Sequence, residues 1–245
     1  MKKMVEYKPE ERTLSLAIPH PVKSGKIALS EYDSKQELAK SGVSIPFSEV
    51  VKSEEQLDRV SKEISYPCVA KIESADILHK SDIGGVKLNL KNADELKAAY
   101  ATVLKNAAEK APDAKVNGVL VQPMLPQGVE VIVGVNMDPQ FGPMILCGLG
   151  GVFVEVFKDV SLYPAPLNKT EALEMIHSLK GFKLLNGYRG SAKCDVDALA
   201  EFIVQVSDYA VANKDELCEM DLNPVFVYEE GKGVAVADAV IVKRS

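Results

Sequence analysis

Apolar positions along the chain switch between a spacing of three to four and a spacing of two, which predicts alternating helices and strands. Ser30 opens a helical stretch that Gly42 stops. Val43–Val51 reads as extended and carries Pro46. Ser53, with Gln56 three residues on, is a helix cap, and Leu57, Val60 and Ile64 follow at helical spacing. Cys68–Ile72 and Val86–Leu90 read as short strands around a Gly-Gly pair. Asn92 with Glu95 opens a helix bearing Leu96, Tyr100, Val103 and Ala107, which Pro112 and Asp113 end. Gly118–Gln122 and Val129–Val135 are strand-like. Pro143–Cys147 and Val152–Val156 flank a Gly-Leu-Gly-Gly turn. Thr170–Leu179 and Asp195–Val211 are helical, the second with Val196, Leu199, Phe202, Ile203 and Val206 on one face. The C-terminus predicts a hairpin, Leu217–Tyr228 returning as Val234–Val242. Together these elements predict an α+β protein. Residues 1–28 read as an N-terminal arm, 29–117 as one lobe and 118–245 as a second.

The chemistry is densest in that hairpin. On a strand, Cys218, Met220 and Leu222 share one face, and Glu219, Asp221 and Asn223 share the other. The return strand is apolar apart from Asp238. Pairing around the Glu229–Lys232 turn sets Asp238 opposite Asn223 or Asp221. Carboxylate and amide oxygens converging in this way suit Mg²⁺, whose remaining ligands are waters and phosphate oxygens. A wet polar edge strand is the plainer alternative.

Other segments suit phosphate. Lys71 ends an apolar strand, where a lysine either snorkels to water or meets a phosphate. The turn after it, Asp76–Lys87, holds His79, Lys80, Lys87, Gly84 and Gly85. Glycine amides approach anions closely, and a neutral imidazole can attack phosphorus. The same turn equally suits a flexible hairpin tip. Its spacing does not fit the P-loop pattern. Gly148–Gly151 is a tight glycine turn. Glu130, the lone charge in Val129–Val135, suits ribose hydroxyls or simply the outer face of a strand. Arg189, in the Asn186–Gly190 loop, suits a phosphate or a plain surface position. His20 and His177 stand in no cluster.

The totals narrow the class. The 245 residues are 47% hydrophobic and 26% charged, with a net charge of -6. The charges are mixed, so no basic tract marks nucleic acid or an anionic membrane. Tryptophan is absent and aromatics make up 6%, a poor base-stacking platform. No apolar run nears the roughly 20 residues of a membrane helix, and the start of the chain lacks a signal-peptide apolar core. Cys68, Cys147, Cys194 and Cys218 match no metal spacing and read as reduced, buried thiols of a cytoplasmic protein.

Three stretches, Tyr66–Leu90, Gly118–Pro166 and Met220–Asp238, resemble ATP-grasp proteins. Phrases such as DILHKSDIGGVK and DPQFGPMILCGLGG resemble more closely the β subunits of ADP-forming acetate–CoA ligases, relatives of succinyl-CoA synthetase. The likeness runs from about Ser30 to the end. It implies an ATP-grasp fold, two α+β lobes enclosing a nucleotide site. It implies Lys71 on the α-phosphate and an adenine-binding segment at Val121, Gln122 and Met124. It implies Glu130 on the ribose and Gly148, Gly150 and Gly151 near the phosphates. Asn223 and Asp238, with Asp221 close by, would hold Mg²⁺, and His79 would be a second phosphoryl carrier. The implied reaction is acyl-CoA + ADP + phosphate ⇌ carboxylate + CoA + ATP, through an acyl phosphate and a phosphohistidine on a CoA-binding α subunit. That partner is expected because these residues contain no dinucleotide-type CoA-binding domain. An α2β2 heterotetramer is implied, with no nucleic-acid or membrane partner. A free-standing ATP-grasp carboxylate ligase and a non-catalytic nucleotide-binding regulatory subunit are the alternatives.

Overall fold

The computed structural model describes residues 25–151 and 158–245. The expected strand Val152–Val156 and the arm before Gly25 lie outside the described residues. The rest forms two antiparallel sheets, each with helices on one face.

The smaller sheet has the order β2-β5-β3-β4. Its strands are β2 (Glu49–Val51), β3 (Cys68–Glu73), β4 (Val86–Leu90) and β5 (Gly118–Pro123). Helices α2 (Glu54–Glu63) and α3 (Ala93–Lys110) cover one face. Both start at the caps read from the sequence. Ser53 accepts from the Gln56 amide, and Asn92 from the Glu95 amide. Leu57, Val60, Leu96 and Val103 pack there on Cys68, Ala70, Val119 and Val121. Strand alternation therefore turns Val69, Lys71, Glu73 and Gln122 to the opposite face.

The larger sheet runs β1-β11-β9-β6-β7-β8, with β10 also on β9. These are β1 (Lys26–Ala28), β6 (Val129–Asp138), β7 (Gly142–Leu149), β8 (Val160–Pro164), β9 (Leu217–Val227), β10 (Val234–Val236) and β11 (Ala239–Arg244). Helices α4 (Lys169–His177) and α5 (Val196–Ala212) bury its inner face. A capping box of Asn168 and Glu171 opens α4. Met220 and Leu222 join that core, so Asp221 and Asn223 face away from it. Cys218 departs from the expected face. It packs with Ala28 and Val242 in a separate small cluster, because the β9–β11 register shifts at Val242/Lys243.

The packing divides the chain differently from a break at residues 117/118. Gly118–Pro123 is an inner strand of the smaller sheet, bonded to both β2 and β3. At the other end, β1 is an edge strand of the larger sheet, although 1–28 was expected to be an arm. Helix α1 (Glu31–Lys40) follows it, and Leu38 and Val43 bury in the larger core. Hydrophobic burial, which has no sequence-distance term, sets these boundaries. Among the described residues no helix is long and apolar enough to cross a membrane.

Candidate functional site

The helix-free faces of the two sheets meet at a cluster of charge. Lys71 on β3 reaches across to the larger sheet, where the Ala237 carbonyl accepts from its ammonium at 2.9 Å. Lys35, one turn into α1, makes the same crossing in reverse. Its ammonium donates to the Ala237 carbonyl at 2.9 Å, to Gln122 Oε1 of β5 at 2.9 Å and to Glu31 Oε1 at 2.7 Å. Glu31 Oε1 also accepts from Lys71 at 2.7 Å. Lys80 completes the group, its ammonium 3.1 Å from Glu31 Oε2 and 3.3 Å from each oxygen of Asp238. Lys35, Lys71, Lys80, Glu31 and Gln122 are all buried.

Burial opposes the charge on Glu31, but Lys71, Lys80 and Lys35 outweigh it and hold the carboxyl well below the usual carboxylate range. For Lys35 burial wins, and its ammonium loses its proton more readily than an ordinary lysine despite Glu31. Lys80 goes the other way: burial is overcome by Glu31 and Asp238, and its pKa rises. The Asp238 carboxyl is raised by burial and by Glu31, against the pull of the lysines.

Asp238 leads into the candidate metal corner. The Asn223 amide donates to the Asp238 carbonyl at 3.2 Å, and Ala239 pairs with Leu222. Asp238 therefore stands opposite Asn223, one of the two registers expected. Asp221 lies on the same face, two residues before Asn223. Burial, together with the nearby Asp238 charge, pushes the Asp221 carboxyl up to about 7. Two partly buried carboxylates, one raised by the charge of the other, beside an exposed amide, fit a divalent cation that keeps waters and phosphate oxygens. Among the described residues no group of three or more His, Cys, Asp or Glu forms a closed metal cage.

The turn from Asp76 to Lys87 contributes through Lys80 rather than through its glycines. The Gly84 amide donates to the Ser81 carbonyl at 3.0 Å, and the Gly85 amide to the Lys80 carbonyl at 2.8 Å. Both amides are thus engaged inside the turn, not presented to an anion. A Cβ on Gly85 would meet Ile72 Cγ2 at 2.7 Å, so glycine is needed for the close packing that seats Lys80. Leu78 packs on the Ala28–Cys218–Val242 cluster. Between these two anchors His79 is exposed, and no hydrogen bond joins its imidazole to another described residue.

The remaining expected residues divide. Gln122 enters the cluster through its side-chain oxygen, which Lys35 occupies. Val121 is buried in the smaller core, and the Met124 amide already donates to the Pro67 carbonyl at 2.8 Å. Glu130 and Gly150 do come together. The Gly150 amide donates to the Glu130 carbonyl at 2.7 Å, and a Cβ on Gly150 would meet Glu130 Cβ at 2.8 Å. Glu130 itself is exposed. Arg189 is exposed too, in a left-handed turn with φ of 54°, its guanidinium 5.3 Å from the ring centre of Tyr188. Among the described residues no bond or ion pair ties Arg189 to the lysine cluster. Sequence reasoning missed Glu31 and Lys35. The available signal was a Glu–Lys pair at i,i+4 just behind the Ser30 cap, a pattern that usually marks a solvated helix face.

Comparison with known proteins gives this geometry a family. The ATP-grasp domain family matches residues 21–242. The β subunit of acetate–CoA ligase [ADP-forming] I from Pyrococcus furiosus is 46% identical over 202 residues, spanning 82% of this chain and 87% of that one. Two solved structures of the dinucleotide forming acetyl-coenzyme A synthetase 1 of Ca. Korarchaeum cryptofilum are also similar. One, in complex with coenzyme A, Ca-AMPCP and HgCl+, has a TM-score of 0.85 at 42% identity, covering 89% of this chain and 94% of that one. Another holds coenzyme A and Mg-AMPPCP, with a phosphohistidine segment pointing towards the nucleotide binding site. It has a TM-score of 0.76 at 39% identity, covering 89% and 93%. The chain belongs to the ATP-grasp family and, within it, to the group of the β subunits of ADP-forming acetate–CoA ligases.

Proposed function

We propose that this chain is the nucleotide-handling β subunit of an ADP-forming acetate–CoA ligase, working with a CoA-binding α subunit in an α2β2 heterotetramer in the cytoplasm. The reaction is acyl-CoA + ADP + phosphate ⇌ carboxylate + CoA + ATP. The observation that carries the reading is the row of buried ammonium groups, Lys71 and Lys80, running up to the Asp221–Asn223–Asp238 corner. Cations on one side and carboxylates on the other are what a metal-bound polyphosphate requires.

Lys71 commits two of its three N–H groups to Glu31 and Ala237, which leaves one for a phosphate oxygen. Lys80 holds Asp238 in place and turns the same ammonium group to the phosphates. Asp238, Asp221 and Asn223 would hold Mg²⁺, which when bound supplies charge neutralisation for phosphate oxygens. Glu130, beside the Gly150 turn, takes the ribose hydroxyls, and residues 121–124 flank the base. Gly84 and Gly85 serve by shaping the turn.

His79 is the proposed acceptor on this chain. An exposed imidazole can meet a phosphohistidine carried in by the α subunit. Its nitrogen attacks phosphorus as the incoming P–N bond breaks, and the β-phosphate oxygen of ADP then attacks in turn. Each transfer keeps the phosphoryl group bonded, so it never passes to water.

The test is incubation with γ-labelled ATP and magnesium, with and without the α subunit. Acid-labile label on the α chain only in the mixture, with a trace on this chain that His79→Ala removes, supports the reading. Nucleotide binding with no label in any combination overturns it.

A further inference from the structure

The lysine cluster already contains an anion of its own. Glu31 is the first residue of α1 and is fully enclosed, yet it belongs to none of the expected ligand sets. Its Oε1 lies 2.7 Å from both Lys35 and Lys71, and its Oε2 lies 3.1 Å from Lys80. One carboxylate thus binds three ammonium groups, and these come from α1, from β3 and from the turn after β3.

The three lysines are not equivalent. Lys35 has three N–H donors and three acceptors at 2.7–2.9 Å, so it is saturated by the protein. It has nothing to offer a ligand. Lys71 keeps one donor, and Lys80 meets Glu31 and Asp238 only at 3.1–3.3 Å. The three lysines also outnumber the two carboxylates they touch, Glu31 and Asp238. Buried charge left uncompensated is costly, so the cluster favours a further anion.

Resting on the reading of Lys71 and Lys80 as phosphate ligands, we propose that Glu31 is a resident counter-anion that holds their ammonium groups and yields them to incoming phosphate. Lys35 is the fixed anchor that keeps Glu31 once its other partners turn to the ligand. Glu31 is therefore a positioning residue, and it competes with the phosphate for the same donors. The exchange lets the lysines stay assembled between turnovers, since three buried ammonium groups without it would repel one another. It also weakens phosphate binding, which favours release of product.

The competition has a signature that a purely structural role lacks: removing the negative charge must strengthen anion binding. The probe is inorganic tripolyphosphate, titrated calorimetrically into the full chain at pH 7 over a range of salt concentrations. Glu31→Gln keeps the size and removes the charge. It is expected to bind about tenfold more tightly than the natural chain, with a steeper salt dependence, because one competing charge is gone. Glu31→Asp keeps the charge on a shorter arm and is expected to bind about threefold more tightly. Equal or weaker binding by folded Glu31→Gln overturns the proposal. If that variant does not fold by circular dichroism, Glu31→Asp decides in the same way, and unchanged affinity overturns it. Lys71→Met separates the two levels. Tripolyphosphate binding unaffected by Lys71→Met removes the phosphate-site reading itself, whatever the Glu31 variants do.

Discussion

The two halves of the site are opposite in what they lack. On the lysine side, Lys35, Lys71 and Lys80 are buried and each is paired with a protein oxygen. On the acid side, burial and the Asp238 charge raise Asp221, burial and Glu31 raise Asp238, and Asn223 stands exposed with no hydrogen bond from its side chain to another described residue. The lysine side is assembled by the chain alone, because one helix and two sheets supply every partner. The acid side contains like charges in partial burial and calls for a cation. The lesson is that the halves should fail differently. Damage at Lys35, which the protein saturates, should cost stability, and damage to the acid side should cost ligand binding.

Lys35→Met should break that comparison most severely. It leaves Glu31, Gln122 Oε1 and the Ala237 carbonyl short of a donor in a buried place. A loss of about 3 kcal/mol in urea unfolding is expected; a loss below about 1 kcal/mol would mean that the cluster does not hold the sheets together. Asp238→Ala is next. Affinity for ADP in the presence of magnesium should fall about a hundredfold, with the fold retained by circular dichroism. Unchanged affinity would remove Asp238 from the ligand set.

The pH dependence sharpens the difference further. Asp221 is raised to about 7 in the folded chain. The folded state therefore holds this proton more tightly than the unfolded one. Without divalent cation, the stability this group contributes is fully present below the ordinary carboxylate pKa of about 4, falls as pH rises from there, and is lost once pH has passed through about 7. Magnesium competes with the proton, so its apparent affinity should drop about tenfold from pH 8 to pH 6. Asp221→Asn should flatten both trends. A pH-independent magnesium titration in the natural chain would show that Asp221 takes no part. The smallest effect is expected outside both halves. Arg189→Ala should change ADP affinity less than about twofold, since its guanidinium rests on Tyr188 away from the cluster. A tenfold loss would bring Arg189 back to the phosphates.

Much of this was legible from local pattern. Ser53 and Asn92 announce α2 and α3 because a cap is a contact between residues three apart. The hairpin facing of Asp221, Asn223 and Asp238 follows from a period of two, a property of any strand. From the sequence, the Gly84–Gly85 pair suits an anion cradle and a hairpin tip equally. Its amides turned out to bond Ser81 and Lys80 instead, a choice made by the turn's closure and by the approach of Ile72.

The sequence by itself determined most of the described elements, their caps, the polar face of β9 and the placing of Lys71 on an apolar strand, which runs on past it to Glu73. Short-range sterics and alternation suffice for these. Only the tertiary structure decided that α1 packs with the larger sheet, that β5 belongs to the smaller one, and that Glu31 and Lys35 are buried where the two meet. A Glu–Lys pair one turn apart looks the same whether it faces water or a core. What separates the two is desolvation, and that depends on residues such as Gln122 and Ala237, which lie far along the chain from Lys35.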